Sequence, residues 1–136
     1  MKIVIDTSVV VSAFFFGGPA RQLLECVMRD DPAAYATREI AEEYEAAIAK
    51  MQSRKKETAR ADLALPFIMR LHIVVPKSNL AVCRNPGEDK FVACAMDSNA
   101  VYVVDDDQKV SFNGAHRSVK MMTAEACCQL LSPCGQ

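Results

Sequence analysis

The chain has 136 residues, of which 51% are hydrophobic and 24% charged, and its formal net charge is −1. This length predicts one domain, because two halves would each be too small to bury a good core, and the composition excludes a disordered chain. The net charge excludes a surface that attracts nucleic acid as a whole but permits a local basic patch. We expect a single domain over residues 1–132 and a short polar tail over residues 133–136.

The apolar segments and the cysteines limit the class of protein further. Residues 9–16 form the longest apolar run, broken only by Ser12, and it is far shorter than the roughly 20 residues that span a bilayer. Asp6 interrupts the first apolar stretch, so we expect no secretory signal, no membrane contact and a cytoplasmic location. The six cysteines include no C-x-x-C pair, which predicts reduced thiols. Neither histidine lies near a second ligand at zinc-finger spacing, so we expect no zinc site.

The first half of the chain alternates strand patterns with helix patterns. Residues 2–5 are a β-branched apolar run that ends at an aspartate, which is typical of a buried parallel strand. Residues 20–28 and 38–51 each place apolar side chains on one helical stripe, and Thr37 is a predicted N-cap of the second helix. Residues 34–36 form a weaker strand pattern between them.

The second half repeats this alternation. Residues 57–71 predict a helix, although Pro66 should kink or divide it. Further strands are predicted over residues 73–75, 100–104 and 119–122, and further helices over residues 91–96 and 123–131. Strands separated by helices predict an α/β domain with a central, mainly parallel sheet of four to five strands flanked by helices.

Acidic residues follow the predicted strands at the edge where sites form in open α/β sheets. Asp6 follows the first strand, and residues 105–107 are three aspartates that follow the strand ending at residue 104. Asp89 is expected in the first turn of a helix that begins at the same edge. Glu43 is expected at the border of the apolar stripe of its helix, where it can point inward. The sequence therefore predicts a cluster of carboxylates.

Several ionised carboxylates lie close together only with a cation or with protons, because like charges raise one another's pKa. Oxygen ligands without nearby His or Cys favour Mg²⁺ or Mn²⁺, which commonly bind carboxylates together with substrate phosphate oxygens. This pattern points to phosphoryl chemistry. Simpler roles stay open: Asp6 as a turn or capping residue, Glu88 and Asp89 as complements to a helix dipole, and Glu43 as a solvated helix acid.

Three segments and the predicted strand that ends at residue 104 present these acids in a recognisable order. Residues 3–13 (IVIDTSVVVSA) contain a strand and the first acid, and residues 37–44 (TREIAEEY) contain a helix start and the second. Residues 83–95 (CRNPGEDKFVACA) contain a turn followed by the third acid, and the strand that ends at Val104 precedes Asp107. Together they resemble the PIN-domain ribonuclease family, in particular its toxin components related to VapC-type toxins. The resemblance covers most of the chain.

The resemblance implies a metal-dependent endoribonuclease. It implies four acids that hold or position Mg²⁺ or Mn²⁺, namely Asp6, Glu43, Asp89 and Asp107. Ser8 and Glu88 would support them. Asp105 is an alternative fourth acid, because Asp105 and Asp106 replace the usual Ser/Thr-Gly of the family, and Asn85 stands where the family often has Asp.

The resemblance also implies partners. RNA is the implied substrate, and Arg54, Lys55 and Lys56 are candidate phosphate contacts in a basic run, with a solvated helix face as the simpler interpretation. A cognate antitoxin protein and a second copy of the chain in a homodimer are the other expected partners.

Two other functions remain open at this stage. The altered region around the fourth acid is consistent with a catalytically weakened PIN-like module that binds RNA or protein. An aspartyl-phosphate enzyme with Asp6 as nucleophile is a weaker alternative, because Ser8 stands where a D-x-D motif needs its second acid.

Overall fold

A five-stranded parallel sheet forms the centre of the fold. The computed structural model describes residues 1–54, 63–78, 86–106 and 119–131. The strands of these residues are β1 (Lys2–Ile5), β2 (Ala33–Ala36), β3 (His72–Ile73), β4 (Tyr102–Val104) and β5 (Lys120–Met122). They lie in the order β3-β2-β1-β4-β5, and each is parallel to its neighbours. The predicted α/β fold is confirmed, and the predicted strands are present, although β3 covers His72–Ile73 where residues 73–75 were predicted.

Helices flank this sheet. Those of the described residues are α1 (Thr7–Phe15), α2 (Gly18–Met28), α3 (Arg38–Arg54), α4 (Ala64–Arg70), α5 (Asp89–Ser98) and α6 (Ala124–Leu130). Thr37 caps α3 as predicted, since its hydroxyl oxygen accepts a hydrogen bond from the Ile40 amide at 3.2 Å. Thr123 caps α6 in the same way through the Ala126 amide at 3.1 Å. Each cap satisfies an amide that has no partner inside its helix.

Helix α1 is the element that apolar periodicity did not reveal. A helix that is apolar on nearly all sides shows no regular alternation with polar residues, so its period is invisible in the sequence. The structure buries α1 between its neighbours, and its buried residues are Val9, Val10, Ala13, Phe14 and Phe15. The helix begins one residue after β1, with Asp6 between them.

Pro66 lies within the first turn of α4. It is the third residue of that helix. The amides of a first turn have no intrahelical acceptor, so the missing N–H of proline costs nothing there. The predicted start of this helix at residue 57 lies outside the described residues.

The core joins three helices through aromatic side chains. Phe67 of α4 is fully buried, and its ring lies 5.8 Å from the ring of Phe14 in α1 and 5.9 Å from that of Tyr44 in α3. The edge-to-face geometry of the first pair is the one that aromatic quadrupoles favour. Within the described ranges, no helix is both long and apolar enough to span a membrane. The predicted tail lies outside these ranges.

Four cysteines of the described residues are free thiols, as predicted: Cys26, Cys94, Cys127 and Cys128. Burial raises the pKa of Cys94 and of Cys127 to about 12. Both thiols are therefore protonated at neutral pH, as expected for cysteines that act as small core residues. Cys83 and Cys134 lie outside the described residues.

Candidate active site

The carboxyl ends of β1 and β4 bring two buried aspartates to one edge of the sheet. Ile5 of β1 pairs with Val104 of β4. The next residues, Asp6 and Asp105, therefore leave neighbouring strands at the same level. Asp6 is 2% exposed and Asp105 is 1% exposed. This placement is the one expected for acids at the site-forming edge of a parallel sheet.

Asp6 has a defined orientation because Ser8 binds it twice. Oδ2 of Asp6 accepts hydrogen bonds from the Ser8 amide at 3.1 Å and from the Ser8 hydroxyl at 2.5 Å. Asp6 is thereby the N-cap of α1. The contacts that start the helix therefore also orient the acid.

Glu43 reaches the same site from α3, and both of its carboxylate oxygens have partners. The Thr7 hydroxyl donates to Oε2, and the Lys90 ammonium lies 2.5 Å from Oε1. The next residue, Tyr44, is fully buried and its hydroxyl donates to the carbonyl oxygen of Ile5, directly before Asp6. This contact joins α3 to the end of β1.

Glu88 and Asp89 belong to the third element of the site. A 3-10 turn over Pro86–Glu88 leads into α5, whose first residue is Asp89. Burial, a hydrogen bond with Asp6 and the charges of Asp6, Glu43 and Asp105 raise the pKa of Glu88 from 4.5 to about 8. This shift favours the protonated form of Glu88, which relieves the repulsion among these acids.

The fourth acid is only partly defined by the structure. Asp107 lies outside the described residues, whereas Asp105 is buried beside Asp6. Asp106 has a different role, because its Oδ1 accepts a hydrogen bond from the Ala124 amide at 2.8 Å. This contact ties the end of β4 to the start of α6.

The basic run is also only partly described. Arg54 is the exposed last residue of α3, and Lys55 and Lys56 lie outside the described residues. Lys50 and Arg54 follow Glu43 by seven and eleven positions, so both lie within about 20° of Glu43 around the helix axis. Lys50 and Arg54 are therefore on the same side of α3 as Glu43.

The residues that meet at this edge suit a hard divalent cation. Within the described ranges, no three His, Cys, Asp or Glu side chains already have the arrangement that holds a metal ion. The acids nevertheless provide only oxygen donors, which Mg²⁺ and Mn²⁺ prefer. Oε2 of Glu88 is buried without a hydrogen-bond partner among the described residues. Such an atom, close to three other carboxylates, is one that a cation would satisfy.

Comparison with known proteins assigns this arrangement to a family. Residues 2–109 match the family described as PIN domain, a match that extends from β1 past the end of β4. The chain belongs to the PIN domain family. A PIN domain is a nuclease-type fold, and its members are generally metal-dependent enzymes that cleave RNA or DNA. The acids of this PIN domain therefore lie in a fold that is associated with hydrolysis of nucleic acids.

One curated relative of this PIN domain is similar over most of its length. The chain is 25% identical over 125 residues to the uncharacterized protein MJ1680 of Methanocaldococcus jannaschii, which covers 89% of this chain and 81% of that protein. No solved structure matches the chain significantly.

Sequence reasoning missed two residues at this site of the PIN domain, Lys90 and Tyr44. Lys90 was detectable in principle, because a lysine in the first turn of a helix opposes the helix dipole and suggests a nearby acid. Tyr44 had no such signal. Its place on the apolar stripe of α3 is consistent with an ordinary core residue, and only the fold shows that its hydroxyl reaches β1.

Proposed function

We propose that this PIN domain is a metal-dependent endoribonuclease that hydrolyses RNA phosphodiester bonds. The observation that supports it is the approach of acids from separate elements to one sheet edge, where Asp6 and Asp105 leave paired strands and Glu43 contacts Thr7. A site that crowds carboxylates at the expense of stability is more consistent with function than with a structural role.

The roles of the acids rest on the family resemblance and, for the described residues, on their positions. We assign the cation, Mg²⁺ or Mn²⁺, to Asp6, Glu43, Asp89 and Asp107, with Asp105 as the alternative fourth acid and Glu88 in support. When bound, such an ion acidifies a water molecule and stabilises the charge on phosphate oxygens. Ser8 keeps the Asp6 carboxylate oriented, and the burial of Asp6 and Asp105 limits the access of bulk water to the site.

RNA would approach along α3. Lys50 and Arg54 lie on the Glu43 side of that helix, about 10 Å and about 16 Å beyond Glu43 along its axis. These spacings allow both side chains to contact phosphates of a strand that continues away from the site. Lys55 and Lys56 extend the same basic run in the sequence.

The test is RNA cleavage by the purified protein. We expect cleavage of a single-stranded RNA with Mg²⁺ or Mn²⁺, none with EDTA, and a loss of at least about a hundredfold in Asp6→Asn and Asp89→Asn. Glu42→Gln, which changes an exposed acid on α3, is the matched control and should cleave like the wild type. Folding of each variant is checked by circular dichroism.

The opposite outcome has a defined meaning. If the wild type cleaves no RNA with either metal, and calorimetry detects no metal binding, the chain is a PIN-like binding module instead. In that case the contacts of Thr7 and Lys90 with Glu43 are structural.

We further propose that the enzyme is the toxin of a toxin–antitoxin pair and acts as a homodimer. The support is the resemblance of its motifs to toxin components of the family. Induced expression should arrest growth of a bacterial host for the wild type and not for Asp6→Asn. Equal growth of both strains at equal protein levels contradicts the toxin role, and a monomeric mass in solution contradicts the homodimer.

A further inference from the structure

The Lys90 side chain brings a positive charge into the acidic site. Its ammonium nitrogen lies 2.5 Å from Oε1 of Glu43 and 5.6 Å from the centre of the Phe91 ring. The Lys90 side chain is 24% exposed and the Glu43 side chain is 35% exposed. The ammonium is thus held by the Glu43 carboxylate near the Phe91 ring, and its side chain stays partly exposed.

The position of Lys90 in α5 is electrostatically unfavourable by itself. Lys90 is the second residue of α5, where the helix dipole is positive and a cation is disfavoured. The ion pair with Glu43 compensates for this cost. Glu43 is itself held by the Thr7 hydroxyl, so the chain Thr7, Glu43, Lys90 fixes the ammonium in one place.

Electrostatic repulsion opposes the binding of an RNA strand at this site. Each phosphodiester is negatively charged, and the carboxylates of Asp6, Glu43 and Asp105 repel it. Lysine binds phosphate as a point charge, and its ammonium has three N–H donors, of which Glu43 needs one. Lys90 can therefore donate to a phosphate oxygen while Glu43 still holds it.

We infer that Lys90 is a phosphate-binding residue of the active site and that Glu43 is its positioning residue. The ligand class is a phosphodiester of the bound RNA strand. This inference rests on the proposed ribonuclease function, but it assigns to Glu43 a task that does not require contact with the metal.

The first measurement is RNA binding in EDTA, because it needs neither metal nor turnover. The dissociation constant of a labelled single-stranded RNA is measured by fluorescence anisotropy at several KCl concentrations. Each phosphate contact to a single strand contributes about 0.7 to the slope of log K against log salt. Lys90→Met should lower this slope by about 0.7 and weaken binding by about threefold to tenfold.

Three further variants make the result specific. Lys90→Arg keeps the charge and should retain the wild-type slope, and Lys90→Gln is a second neutral variant in case Lys90→Met folds poorly. Lys120→Met removes an exposed lysine on β5 and should leave both slope and affinity unchanged. A structural role for Lys90 would not lower the salt slope by one contact.

The second measurement separates positioning from binding. Glu43→Gln removes the carboxylate that holds the ammonium but no phosphate donor, so in EDTA we expect Lys90→Met to lower the salt slope less in the Glu43→Gln background than in the wild type. If Lys90→Met lowers the slope equally in both backgrounds, Glu43 does not act by positioning the ammonium.

The outcomes distinguish the two proposals. If the wild type cleaves RNA but both neutral Lys90 variants keep the wild-type salt slope, or RNA binds only with metal, the role of Lys90 is wrong and the ribonuclease assignment stands. If the wild type neither binds nor cleaves RNA, both proposals are wrong.

Discussion

Electrostatic repulsion among the site acids acts on the carboxyl group of Glu88. Its neighbours Asp6, Glu43 and Asp105 are acids, and its burial adds to the cost of ionisation, so its pKa is raised to about 8. Because the folded protein binds this proton more tightly than the unfolded chain does, the free energy of unfolding should fall as pH rises from about 4.5 to 8.

This pH dependence can be measured in EDTA. Glu88→Gln keeps the shape of the side chain but cannot ionise, so we expect a melting temperature that declines less across this pH range than that of the wild type. Glu42→Gln, at an exposed position, is the control and should decline like the wild type. Parallel pH curves for Glu88→Gln and the wild type would show that Glu88 ionises normally.

Asp97 joins α5 to residues 77 and 78, which follow β3. Its Oδ2 accepts hydrogen bonds from the amides of Lys77 at 2.7 Å and Ser78 at 3.1 Å, and its Oδ1 accepts one from the Ser78 hydroxyl at 2.6 Å. Burial raises the pKa of Asp97, but these hydrogen bonds lower it more, so the net pKa lies below the ordinary value of 3.8. The ionised carboxylate therefore stabilises this junction.

The expected effect of Asp97→Asn has the opposite sign to that of Glu88→Gln. A lowered pKa contributes stability that is present above about pH 4 and is lost as pH falls through the folded-state pKa. Asp97→Asn should therefore melt at a lower temperature than the wild type at pH 7, with a smaller difference at about pH 3. A Glu25→Gln control on α2 tests the general effect of removing one charge. An equal difference at both pH values would contradict the role of the ionised Asp97.

At the scale of the whole molecule, the buried ring of Phe67 links α4 to α1 and α3. Phe67→Ala should cost about 3 to 5 kcal/mol of the free energy of unfolding, because it removes ring contacts and leaves a cavity. Domains of this size have roughly 5–15 kcal/mol in total, so the variant should be close to unfolding. Urea unfolding followed by circular dichroism measures the change.

Met69 provides the control on the same helix. Its side chain is 75% exposed. Met69→Ala should change the free energy of unfolding by no more than about 0.5 kcal/mol. Similar losses for the two variants would mean that α4 does not pack on the core through Phe67.

The sequence determined the α/β fold, the strand positions and the motif order, because strands and most helices have local apolar patterns that do not depend on the rest of the chain. It also located Asp6 and Asp89 at element ends. Local patterns did not reveal α1, because its residues are apolar on nearly all sides.

Contacts between residues that are far apart in the sequence could be identified only from the folded structure. The contact of Lys90 with Glu43 joins α5 to α3, and that of Tyr44 with Ile5 joins α3 to β1. The raised pKa of Glu88 depends on acids from three other parts of the chain. Such effects arise from distances between residues far apart in sequence, and these distances are set by sheet order and helix packing rather than by any local pattern.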